Sequence, residues 1–395
     1  VSRIFVTGMG IISAIGENVA ANRWSLKQGV CGITTLGLFP SKYSGVLPCG
    51  EIKLDTQSLR EKLKAREPGM TRTSLLARHA FEEAVQDAEM TTAMISAPDT
   101  ALVSATTVGG MCLTDELYHD AHRESNGSVY LSSYDCGSVA IDLQKHFRLS
   151  GLINTINTAC SSSANAIMYG ARLIKHGKAR RAIVGGVDSL SKFTLNGFNA
   201  LHILSHEICQ PFDRDRKGLN LGEAAAFLVL EKEEDITNRK VYSELTGYGN
   251  ANDSYHPSSL SDEGEGPYLS MKEALAMAKL EPGDIGFVNA HGTGTENNDA
   301  SESQAMIRLF GKPPAFASTK SNTGHTLGAA GAVEAVYATL NLLYQEAYAS
   351  LHFEVAIEGT ALEPIQDYTS MPIRHIMSNS FGFGGNCSSL IFSKA

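Results

Sequence analysis

No apolar run in this chain reaches 18 residues, and residues 1–8 are too short in apolar length for a secretory leader. Neither a membrane-spanning helix nor a signal peptide is therefore expected, and the missing initiator methionine is read as a processed start. Cysteine is sparse and irregular. The seven residues form an odd set with no Cys-x-x-Cys pair, which argues against a disulfide framework and a zinc site and fits a reducing cytoplasm. Positive charge is in deficit: the net charge of −9 argues against nucleic acid and anionic membrane surfaces as partners. What the chain does hold is apolar. With 43% hydrophobic and only 19% charged residues it is a core-building chain, and 395 residues predict two domains or a duplicated one.

The organising stretch is Asn157-Thr158-Ala159-Cys160-Ser161-Ser162-Ser163-Ala164. Ala164, Ile167, Met168, Ala171 and Ile174 recur at three- and four-residue spacing, which predicts a helix over 165–177 with one buried face. A thiol just before such a helix meets the positive end of the macrodipole and unpaired N–H groups, and both favour the thiolate. The competing reading is that Cys160 is one more buried cysteine.

Elsewhere the pattern predicts strands over 4–7, 100–106, 181–185, 224–230, 242–248 and 285–289, and helices over 22–28, 74–89, 267–279 and 332–343. The polar run 231–240 marks the best boundary, dividing the chain into 1–240 and 241–395, each with strands separated by helices. Gly8-Met9-Gly10 lacks the third glycine of a dinucleotide fingerprint, since Ser13 stands there, and reads as a tight strand-to-loop turn. Gly186-Val187-Asp188-Ser189-Leu190 spells the attachment site of a carrier protein but follows an apolar strand in a large domain, so the match is accidental. His119 and His122, in an irregular polar stretch over 112–131, lack a third metal ligand. His202 and His206 share a face if their segment is helical and read as surface or packed histidines.

Three further glycine-rich stretches place a polar group after an apolar segment: His291-Gly292-Thr293-Gly294-Thr295, Lys320-Ser321-Asn322-Thr323-Gly324-His325, and Ser378-Asn379-Ser380-Phe381-Gly382-Phe383-Gly384-Gly385. Together with the Cys160 stretch they resemble the β-ketoacyl synthases, the condensing enzymes of fatty-acid and polyketide synthesis, over nearly the whole chain. The order Cys, His, Lys, His is similar to the elongating branch that uses acyl carrier protein. The resemblance implies a thiolase-like α/β fold of two duplicated halves in an αβαβα layering, the first carrying the nucleophile and the second the histidines, lysine and gate loop.

It also implies roles. Cys160 would hold an acyl group as a thioester, and His291 and His325 would stabilise the enolate left when malonyl-carrier loses CO2. Lys320 resembles the active-site lysine, Glu334 the buried carboxylate of its network, and Phe383 the gate residue, whose N–H joins that of Cys160 in an oxyanion hole. No cofactor is required. A monovalent cation, sodium or potassium, is expected by resemblance near Asn289, Ala290, Glu334, Ser378 and Asn379. The implied partners are acyl- and malonyl-loaded carrier protein and a second subunit, usually a copy of the same chain and in some polyene and aromatic-polyketide systems a relative lacking the cysteine. Such a non-catalytic subunit and a Cys–His acyl hydrolase are the two rival readings. The chain departs from the family at Asn386-Cys387, where Thr-Asn is usual, and at Gly222-Glu223-Ala224-Ala225-Ala226, where Gly-Glu-Gly-Ala-Gly is usual. Because carriers are acidic and this chain is too, docking needs a basic patch, and Arg60, Lys62, Lys64, Arg66 and Arg72 form the densest candidate.

Overall fold

Ten strands carry the architecture of the computed structural model, which describes residues 2–237 and 239–395. The first five are β1 (Ile4–Ser13), β2 (Thr100–Ala105), β3 (Ile153–Ile156), β4 (Arg181–Asp188) and β5 (Ala224–Lys232). The last five are β6 (Ser243–Asn252), β7 (Phe287–Asn289), β8 (Ala315–Ala317), β9 (His375–Phe381) and β10 (Asn386–Lys394). They line up as β1-β5-β4-β2-β3 and β6-β10-β9-β7-β8, so both sheets use their own strands in the order first, fifth, fourth, second, third. The pairing sense repeats as well: two antiparallel ladders, then two parallel ones. A shared order and a shared pairing sense are the mark of one unit used twice. The sheets meet where β1 and β6 pair over only two residues, Phe5 with Glu244 and Val6 with Ser243.

Helices cover both faces of each sheet, which is why β1, β2, β4 and β5 are buried almost throughout. Helix α1 (Arg72–Asp87) packs on β1 and β5, and its later counterpart α3 (Glu265–Ala278) packs on β6 and β10. Between the sheets lie α2 (Ser162–Lys175) and α4 (Ala330–Tyr344), in contact with each other. Every residue of α4 from Ala330 to Leu342 is buried, as a helix enclosed on all sides requires. The two central helices touch at Gly331, where a Cβ would sit 2.7 Å from the backbone N of Ala164. The layering is that of thiolase-like enzymes. No helix of the described residues is long and apolar enough to cross a membrane.

One expectation needs correcting. Gly8-Met9-Gly10 is not a turn: β1 runs straight through it, and a Cβ on Gly10 would meet the Ala80 carbonyl at 2.1 Å. The glycines there let α1 lie close against the strand. His202 and His206 share no helix, because the helix over Lys192–Ala200 ends before either. The excursion over 112–131 lies at the surface, but much of it is a helix, Thr114–Arg123, with no buried residue.

Candidate active site

Cys160 follows β3 on a turn that the backbone would not choose unaided. Ala159, not a glycine, is left-handed with φ 53°. Ser162 fixes the turn: its Oγ accepts from Thr158 N at 2.9 Å and donates to Ala159 O at 2.5 Å. Helix α2 begins only at Ser162, with Ser161 as its cap, and Cys160 is 5% exposed. The expected thiolate is therefore not the resting state. Burial pushes the Cys160 thiol up to about 11, and the Lys320 charge and the N–H groups of Phe383 and Cys160 oppose that without reversing it.

A thiol in that state needs a base, and His325 Nε2 stands 3.0 Å from Sγ. His325 enters from the turn before α4, and His291 from the loop after β7. Their rings lie edge to face with centroids 5.4 Å apart. Burial is the main reason that both histidines titrate well below the usual range, with the Lys320 charge adding to it. Both are neutral at pH 7.

Lys320 fixes which nitrogen of His291 holds the proton. Its Nζ is only a donor, and it reaches His291 O at 2.5 Å, His291 Nδ1 at 3.3 Å, and Glu334 Oε1. Nδ1 must accept, so the proton sits on Nε2. The Cys160, His291 and His325 ligand atoms lie within 4.8 Å of one another, a spacing a soft metal ion can span, but a protonated Nε2 makes His291 a donor and not a ligand. Glu334 is pushed up to about 7 by burial, and the lysine beside it pulls the other way. Every candidate for the chemistry except Phe383 is thus in one connected cluster, and Phe383 closes it from the gate loop. Its ring stacks on Phe198 at 6.1 Å between centroids.

Several positioning groups have no signature in the sequence. Glu302 accepts from His291 N, Gly292 N and Asn379 Nδ2, and Asp299 accepts from Thr293 N and Phe212 N, so the two carboxylates hold the His291 loop. Asp188 closes β4 and accepts from Thr106 Oγ1, Thr107 N, Val108 N and Gly328 N. It joins the end of β2 to the turn before α4. A carboxylate aimed at backbone N–H groups leaves no spacing to read. The accidental carrier-like spelling around Asp188 hid it further.

A cavity of about 300 Å³ opens in front of Cys160, His291 and His325, with Thr293, Arg216 and Lys217 among its walls. At the back of the site Asn289 Oδ1 and Glu334 Oε2 are buried without partners among the described residues. Asn379 is already engaged, donating to Glu302 and accepting from Ser389.

The basic patch does not hold together. Arg72 is buried in a two-pronged ion pair with Glu223 at 2.6 and 2.9 Å. Arg60 donates to the Glu67 and Met70 carbonyls, and Lys62 pairs with Glu17. Only Lys64 and Arg66 remain exposed and without ion pairs among the described residues.

A duplicated α/β fold with a cysteine and two neutral histidines meeting at the inner helices defines a thiolase-like enzyme. Comparison with known proteins narrows this. Residues 1–236 match the family described as "Beta-ketoacyl synthase, N-terminal domain", and 242–354 match "Beta-ketoacyl synthase, C-terminal domain". The chain belongs to the β-ketoacyl synthase family. It is 31% identical to 3-oxoacyl-[acyl-carrier-protein] synthase 2 of Staphylococcus aureus (strain COL), covering 99% of this chain and 98% of that one. Among solved structures, the ishigamide ketosynthase/chain length factor superposes with TM-score 0.93 at 26% identity, covering 100% of this chain and 99% of that one. A ketosynthase from Xenorhabdus doucetiae, solved in complex with its chain length factor, gives TM-score 0.87 at 31% identity, covering 100% and 98%.

Proposed function

We propose that the protein is an acyltransferase that condenses an acyl thioester held on Cys160 with malonyl-acyl carrier protein, giving a 3-oxoacyl-carrier and CO2, in fatty-acid or polyketide synthesis. The observation that supports it most is the 3.0 Å contact of Cys160 Sγ with a neutral His325, beside a second neutral histidine whose proton is on Nε2. In the first step Cys160 attacks the acyl carbonyl. Its proton passes to His325 Nε2 and on to the departing carrier thiolate. The N–H groups of Cys160 and Phe383 receive the oxyanion.

In the second step the malonyl C–C bond breaks and CO2 leaves. His291 donates from Nε2 to the enolate oxygen, and His325 does so once the sulfur is acylated and its proton is carried on Nε2, each donor worth about 3 kcal/mol. The enolate carbon then attacks the acyl carbonyl and the C–S bond to Cys160 breaks. The returning thiolate takes up one proton, which balances the lost carboxylate. Here Lys320 and Glu334 hold the tautomer of His291. A hydrolase reading lacks support, because His325 Nδ1 is buried with no orienting partner among the described residues. A catalytically silent subunit is disfavoured by the presence of the full Cys–His–His set.

The first 240 residues would carry the nucleophile, and the remainder the histidines and the gate. No cofactor takes part in these steps. The partnerless oxygens of Asn289 and Glu334 fit a sodium or potassium ion, for which both are hard donors, and no step runs through it. Carrier protein is the proposed partner in both steps. A second subunit, a copy or a chain length factor, fits the outer edge of β3, which among the described residues pairs only with β2 and is preceded by exposed Leu152.

Intact-mass measurement after incubation with acyl-carrier tests the reading. The acyl mass is expected on wild type and not on Cys160→Ala. His291→Ala should still be acylated at the wild-type rate and His325→Ala more slowly for want of the base, and both should release labelled CO2 from malonyl-carrier about a hundredfold more slowly. Acylation at another cysteine, or undiminished CO2 release in both histidine variants, would overturn it.

A further inference from the structure

The gate loop is fastened to the nucleophile turn by the side chain of one residue, Asn386. Asn386 Oδ1 accepts from Ser161 Oγ at 2.8 Å, Asn165 Nδ2 at 2.8 Å and Asn250 Nδ2 at 3.0 Å. Asn165 also donates to Thr158 Oγ1 at 2.8 Å, and its own Oδ1 accepts from Ser388 Oγ and Asn250 Nδ2. Thr158, Ser161 and Asn165 flank Cys160 on both sides in sequence. The backbone of Asn386 also closes the gate loop, its carbonyl accepting from Gly382 N at 2.8 Å. One residue therefore grips the base of the loop with its main chain and the Cys160 turn with its side chain. Phe383, which lines the cavity together with Cys160, lies in the loop between Gly382 and Asn386.

We propose that Asn386 is a positioning residue that holds the Phe383 N–H on the oxyanion side of Cys160 and so acts on acyl transfer more than on decarboxylation. The proposal rests on the condensation reading above. His291, the histidine that serves decarboxylation alone, is held by other groups, Lys320 on one side and Glu302 on the other, and neither touches Asn386. The two half-reactions should therefore respond differently. Cys387, next in the chain, takes no part: it is buried against Leu260 and Phe381, and burial raises its thiol far above the ordinary range.

The side chain acts through an acceptor oxygen, which separates two variants of nearly equal size. Asn386→Asp keeps an oxygen facing all three donors, and the amide nitrogen it replaces bonds to nothing in the network. Asn386→Leu keeps the volume and removes the acceptor. Acylation of Cys160 by acyl-carrier, followed by intact mass, is expected to slow about tenfold in Asn386→Leu and to stay within about threefold of wild type in Asn386→Asp, a fraction of the effect of losing an oxyanion donor outright. Release of labelled CO2 from malonyl-carrier is expected to stay within about twofold in both, which also shows that both are folded. Wild-type acylation rates in Asn386→Leu would overturn the proposal. So would parallel losses of acylation and decarboxylation in both variants, the outcome of general damage. A wild-type protein that takes no acyl group would instead overturn the condensation reading itself, and this role with it.

Discussion

Neutral imidazole is the state that the surroundings of His291 and His325 select, by burial first and by the charge of Lys320 second. That choice has a cost at low pH. Above about 6.5 the unfolded histidines are neutral too, and the folded state loses nothing. As pH falls below 6.5 the unfolded chain takes up protons that the folded site refuses, so stability drops by up to about 1.4 kcal/mol per pH unit for each such histidine. Urea midpoints at pH 7, 6 and 5.5 should therefore fall steeply for wild type and less steeply for His325→Gln. Equal slopes would mean that His325 is not held neutral. The two histidines and Lys320 stood out because each sits in a glycine-rich stretch beside an apolar segment, and Cys160 because it stands among small residues just before an apolar-periodic helix. The protonation state of Cys160 was not legible. The position before a helix pointed to a thiolate, while the desolvation that decides the matter depends on α4 and the gate loop, which are distant in sequence.

At the scale of elements, periodicity located α1 to α4 to within a few residues, but it missed the helix over Glu296–Phe310 and the strands β9 and β10 and misjudged where glycine means a turn. In β1 it means a helix lying close, and only packing tells these apart. Arg72 shows the same limit for charge. Read along the chain it is the last of five basic residues. In space it opens α1 and pairs with Glu223 at the start of β5, both nearly inaccessible. Glu223 also accepts from Ile52 N and Leu190 N, so the pair ties four segments together. Removing one partner leaves the other charged and buried, and Arg72→Leu is expected to lower unfolding free energy by about 3–5 kcal/mol. Chemical denaturation measures this, and a loss below about 1 kcal/mol would show that water reaches the pair.

At the scale of the molecule, both charge balance and symmetry matter. An acidic enzyme meeting an acidic carrier depends on a few local cations, and Lys64 and Arg66 are what remains of the candidate patch. Lys64→Glu with Arg66→Glu should lower carrier-dependent turnover several-fold and weaken its salt dependence, with small carrier-free thioesters unaffected, because rim charges act mainly on encounter. Losses with both substrate types would assign these residues to folding instead. The duplication itself was only hinted at by the restart of the strand–helix rhythm after residue 240. Its demonstration needed strand order, which no local pattern contains.

The two sheets share only two paired residues, yet the reacting sulfur and the base that serves it come from opposite sides of that seam. The enzyme thus carries a built-in alignment gauge. A slip of one repeat over the other by an ångström would stretch the 3.0 Å sulfur–imidazole contact before any strand came apart. Under rising denaturant or pressure, activity is therefore the first property to go, while the spectroscopic signals of secondary structure still report an intact protein.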